Sequence, residues 1–142
     1  MSVSPKPAPV MFFDLAGGES TKLSGFYSSI FGWAVAPDGR FTAHVVSPPL
    51  VARSDYQLAY GTYTATISAP LGGQIRPDPS EKRVYLGVPN VAATLDAIKA
   101  QGGTIEAPRF EVPGVVVLGL FKDPGGNAMG LIELDGDRVK IP

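Results

Sequence analysis

Cysteine is absent from the 142 residues. Its absence excludes a disulfide scaffold, a thiolate nucleophile and cysteine-bound zinc. Histidine occurs once, at His44, and one imidazole does not supply the about three or four protein ligands that metal sites use. Charge of one sign is not in excess: 12 basic residues face 13 acidic ones. No basic cluster is longer than Lys82-Arg83, so neither nucleic acid nor an anionic membrane is an expected partner. No apolar run approaches the about 18 residues that cross a bilayer. The stretch 1–9 is polar, carries three prolines and has no continuous apolar run of the secretory-leader type. The cytoplasm is the expected location. G-x-S-x-G, a dinucleotide fingerprint and a phosphate loop are all missing.

What is present is punctuation. Seventeen glycines and fourteen prolines are spread along the chain, as suits many short strands joined by turns. With 44% hydrophobic and 18% charged residues, the composition is that of a globular domain. Val10–Leu15 reads as a strand. From Glu19 to Phe31 the apolar residues Leu23, Phe26, Tyr27, Ile30 and Phe31 follow helical spacing, and Gly32 ends the helix. Phe41–Ser47, Tyr60–Ser68 and Gly72–Arg76 read as strands, and Asp78–Lys82 as a polar connector. The order then repeats. Val84–Val88 is a strand, and Asn90 caps a helix with Val91, Leu95 and Ile98 on its apolar stripe. Gly102-Gly103 closes that helix, and Thr104–Ala107, Val115–Lys122 and Ala128–Leu134 are three further strands. Asp123–Asn127 is a tight turn. The closing glycines Gly32 and Gly103 lie 71 residues apart, and the same shift sets Phe12 against Arg83. Expected organisation is a flexible tail (1–9), one domain of two modules (10–76 and 82–135) and a C-terminal tail (136–142).

Three segments carry a resemblance. Phe26-Tyr27 followed by Phe31-Gly32, the Val88–Val91 stretch leading to Gly102-Gly103, and Phe121-Lys122-Asp123-Pro124-Gly125-Gly126-Asn127 together resemble the vicinal oxygen chelate proteins (glyoxalase, bleomycin-resistance and dioxygenase types). The resemblance covers about residues 10–135. It implies an α+β fold of two βαβββ modules forming curled mixed sheets, a homodimer, and a cleft for a small molecule. The family's enzymes use a divalent metal held by His and Glu as a Lewis acid. The positions matching three of those ligands are Phe12, Arg83 and Gly130, none of which offers a metal ligand. The fourth falls between Tyr56 and Arg76, where no Glu, Asp or His occurs. No metal and no cofactor are therefore expected.

Two functions remain open at this point. One is a binding protein that sequesters an aromatic or anionic molecule, with Phe12, Tyr60, Tyr63, Arg83 and Tyr85 lining the cleft. Tyrosines stack and hydrogen-bond, and a guanidinium grips a carboxylate or phosphate in two places. The other is a metal-independent lyase or isomerase in which Arg83 replaces the metal and Asp14 or His44 acts as base. Strand alternation puts Asp14 on the face of Phe12 and Tyr85 on the face of Arg83. An Asp14–Arg83 ion pair across the two modules is the structural alternative.

Overall fold

The computed structural model describes residues 7–47 and 66–142, and the side chains of 44–47 and 66–70 fall outside the description. Ten elements follow one another: β1 (Val10–Ala16), α1 (Ser20–Phe31), β2 (Arg40–Ser47), β3 (Thr66–Arg76), β4 (Glu81–Val88), α2 (Val91–Ala100), β5 (Thr104–Val112), β6 (Val116–Lys122), β7 (Ala128–Asp135) and β8 (Arg138–Val139). The strands form one curled mixed sheet in the order β2-β3-β1-β4-β7-β6-β5, and β8 pairs with β7. Two pairs are parallel, β1 with β3 and β4 with β7. Parallel neighbours need a long crossover, and each module supplies one through its helix and the strands after it. The modules meet edge to edge where β1 runs antiparallel to β4, Phe12 opposite Tyr85 and Asp14 opposite Arg83.

Both helices lie on one face of the sheet. Under α2, Val91 and Leu95 are buried with Val88, Phe121 and Leu131. Asn90 caps this helix, its Oδ1 accepting the Ala93 N–H at 2.9 Å. Under α1 lie Phe41, Ala43 and Ile75, with Leu23, Tyr27 and Trp33 packed against them. Trp33 stacks between Phe41 (4.7 Å) and Tyr27 (5.1 Å).

Several boundaries differ from the sequence reading. Only Leu23 and Tyr27 of the α1 stripe pack inward; Phe26, Ile30 and Phe31 stay 53%, 64% and 58% exposed. Aromatic periodicity alone does not say which flank of a wide stripe meets the sheet. Of the strands expected at Tyr60–Ser68 and Gly72–Arg76, residues 60–65 lie outside the described residues, and from Thr66 one strand runs through Pro70 to Arg76 without the expected break. A proline is tolerated there because β1 pairs with β3 only from Gly72 onward. The expected connector Asp78–Lys82 is shortened, since β4 begins at Glu81. Neither terminal segment is wholly a tail: the Pro9 carbonyl accepts the Gly87 N–H, and the Pro142 carbonyl accepts the Gly114 N–H.

Candidate functional site

The face away from the helices carries the chemistry-bearing residues, and the sheet register arranges them in rows. One row runs Thr42, Gly72, Phe12, Tyr85, Gly130, Leu120 across six strands. The next runs Arg40, Gln74, Asp14, Arg83. At the junction of β1 and β4 these rows bury an acidic and a basic side chain, Asp14 at 2% exposure and Arg83 at 5%.

Each buried charge has its own partners. Asp14 accepts from Tyr85 Oη at 2.7 Å and from Arg76 Nη2 at 3.2 Å. Arg83 donates through Nη2 to Glu81 at 3.0 Å and through Nη1 to Glu106 at 3.0 Å and the Met129 carbonyl at 2.6 Å. Arg76 also reaches Glu81 and Asp78, which ties the two groups together. Asp14 and Arg83 are thus opposite in register but not paired with each other. The expected pair is corrected by two residues that sequence reading had not singled out, Arg76 and Glu81. Glu106 reaches Arg83 from a break in the β5–β6 register between Ile105 and Ala107, the kind of bulge that re-aims a side chain.

The electrostatics follow from this geometry. Burial drives the Tyr85 phenol well above its ordinary pKa, and the hydrogen bond to Asp14 adds to the effect. Tyr85 is therefore a neutral donor at physiological pH. Burial works against the charge on Arg83, but Glu106 and Glu81 outweigh it and raise its pKa. Burial likewise opposes ionisation of Glu81, yet Arg83 and then Arg76 hold its pKa below the ordinary value.

Similar solved structures exist at low sequence identity. A methylmalonyl-CoA epimerase in complex with methylmalonyl-CoA and NH4+ is 14% identical, with 95% of this chain and 99% of that one covered and a TM-score of 0.51. A Streptomyces coelicolor methylmalonyl-CoA epimerase variant in complex with 2-nitronate-propionyl-CoA is 14% identical, covering 99% and 100%, with a TM-score of 0.51. A hypothetical protein from Bacillus halodurans C-125 is 10% identical, covering 92% and 96%, also at 0.51. The chain has the vicinal oxygen chelate fold. At these identities the likeness concerns the fold alone. No family model matches the chain, and no curated protein sequence matches it.

A vicinal oxygen chelate fold raises the question of a metal, and the donor set does not fit one. Phe12 packs its ring edge-on against Tyr85 at 5.5 Å. Arg83 brings a fixed positive charge that already consumes two carboxylates. At Gly130 a Cβ would lie 2.3 Å from the Tyr85 ring, so the tyrosine fills the space a longer side chain would need. Among the described residues no three His, Asp or Glu side chains are grouped to hold a metal ion.

The other expected residues divide in two. His44 lies in β2 opposite Pro70, but its side chain is outside the described residues, as are Tyr60 and Tyr63 entirely. A hollow that sequence reading missed lies beside Phe12. Ala34, Ala36, Arg40, Phe41, Thr42, Gly72 and Gly73 line with it an open hollow of about 350 Å³. Small side chains of this kind leave no sequence signal by themselves.

Proposed function

We propose that the protein binds a small aromatic or anionic molecule on the helix-free face of its sheet, and holds it without a divalent metal. One observation carries this reading: the positions that correspond to metal ligands hold Phe12, Arg83 and Gly130, and Arg83 is already bound by Glu81 and Glu106. A hollow with an aromatic wall reaches this face through Phe12, Thr42 and Gly72, within the range of about 300–1,000 Å³ usual for ligand sites. Two of the similar structures are complexes with CoA derivatives; small-molecule binding is the part of that behaviour assigned to this chain. The lyase or isomerase alternative has less support. Both oxygens of Asp14 and both terminal nitrogens of Arg83 are engaged, so neither a free base nor a free electrophile stands at the junction. In the same reading the protein is a cytoplasmic homodimer. Among the described residues no helix is long and apolar enough to cross a membrane.

Metal analysis of purified protein after dialysis tests the central element. Substoichiometric zinc, manganese, cobalt, nickel and iron are expected; one tightly held metal per chain would overturn it. A thermal-shift screen of small aromatic acids, amides and amines tests binding, because a ligand of the native state raises the melting temperature.

A further inference from the structure

Arg40 lines the hollow beside Phe12, and the turn that carries it is pinned to the sheet. The turn Ala36-Pro37-Asp38-Gly39 bends back so that the Gly39 N–H donates to the Ala36 carbonyl, and the Gly39 carbonyl accepts from Ile75. Gly39 has φ of +89°, and a Cβ there would sit 2.2 Å from the Ile75 carbonyl oxygen. Only glycine fits this contact, so the turn is pinned to β3. Gln74 adds a hydrogen bond from its side-chain amide to the Asp38 carbonyl at 3.0 Å. Asp38 then grips its neighbour twice: Oδ1 accepts the Arg40 N–H at 3.1 Å, and Oδ2 meets Arg40 Nε at 2.7 Å. Held by its Nε, the Arg40 guanidinium has its two terminal nitrogens unpartnered among the described residues. That remaining edge matches a carboxylate, which an arginine binds through two parallel hydrogen bonds.

The hollow is lined by small side chains beside one aromatic ring. Ala34, Ala36, Thr42 and Gly72 line it, and the Phe12 ring forms a wall, its Cδ1 within 3.2 Å of where a Gly72 Cβ would be. A planar aromatic ring stacks on an aromatic wall such as Phe12. We propose that this hollow takes a flat carboxylic acid, its ring against Phe12 and its carboxylate on the outer edge of Arg40. The inference rests on the small-molecule reading above and moves the anion-holding role from Arg83, which is consumed by Glu81 and Glu106, to Arg40.

Isothermal titration with three matched probes tests it: 2-naphthoate, 2-naphthamide and 2-naphthylmethylamine. Saturable one-to-one binding of the acid is expected, with the amide about tenfold weaker, the scale of one charge-assisted contact at an exposed site. Arg40→Ala should bring the acid down to the affinity of the amide and leave the amide unchanged. Raised salt should weaken the acid alone. Ala34→Leu, at an exposed position, should remove binding of both by filling the hollow. Equal affinity of acid and amide, preference for the amine, or unchanged acid binding by Arg40→Ala would overturn the proposal. A ligand from the wider screen that binds wild type, Arg40→Ala and Ala34→Leu alike would sink this site and leave the small-molecule reading standing. Absence of any ligand across the screen would sink both.

Discussion

Tyr85 shows how one side chain can settle the use of a position. Its ring occupies the space above Gly130, and its hydroxyl satisfies a carboxylate that is 2% exposed. Removing the hydroxyl in Tyr85→Phe leaves Asp14 with Arg76 as its remaining partner. A buried charge that loses a hydrogen bond costs about 1–3 kcal/mol, and urea unfolding at pH 7 should show a loss of that size. The pH dependence has a definite sign. The folded-state pKa of Tyr85 lies above the ordinary 10.0, so its stabilisation is complete below that pH and is lost as pH rises beyond it. The gap between wild type and Tyr85→Phe should therefore shrink above pH 10; a gap constant to pH 11.5 would contradict the assignment. Much of this was legible beforehand. Strand alternation alone put Phe12 with Asp14 and Tyr85 with Arg83 on shared faces. The partners were not legible, because Arg76 reaches Asp14 from β3, and no local pattern fixes which strand lies beside β1.

At the scale of elements, the contrast is between the two helices. Asn90 and the Val91, Leu95, Ile98 stripe specified α2 well, since a cap and a narrow apolar stripe point to one orientation. The α1 stripe is wider, and the sheet accepts only part of it. Glu133 went unnoticed because it sits in an otherwise apolar strand. A lone acid in a buried run is the signal that was available, as such a residue is rarely buried without partners. Its Oε1 accepts the Val91 N–H at 2.9 Å, at the start of α2, and Arg109 and Lys140 pair with Oε2. Burial opposes its ionisation, but Arg109 and the Val91 N–H prevail and depress its pKa below 4.5. A depressed carboxylate pKa stabilises the fold above the ordinary value, and the stabilisation disappears as pH falls through the folded value. Glu133→Gln should lower stability at pH 7 by about 1–3 kcal/mol and flatten the acid limb below pH 4.5. Glu81, depressed for similar reasons, keeps part of that limb in the variant. An acid limb identical to wild type would remove Glu133 from this role.

For the molecule as a whole, three weak motifs in the right order identified the fold, while the hollow beside Phe12 stayed hidden. The fold is carried by spacing, which a sequence displays. The hollow is carried by what four separated segments leave empty, which it does not. The same distinction bears on assembly. Phe26, Ile30 and Phe31 flank the inward-packed Leu23 and Tyr27 of α1 and stay more than half exposed, and exposed apolar side chains that form a patch mark contact sites. In a twofold dimer one patch meets its own copy, and the ring geometry is already set, with Phe26 5.2 Å from Tyr27 and 6.1 Å from Phe31. If α1 forms the dimer contact, light scattering on the intact protein at tens of micromolar should give twice the chain mass. Phe26→Lys combined with Ile30→Lys should give the monomer mass with the circular dichroism spectrum retained, because neither side chain belongs to the core beneath the helix. A wild-type monomer would end the homodimer reading, and a dimer indifferent to both lysines would move the interface away from α1.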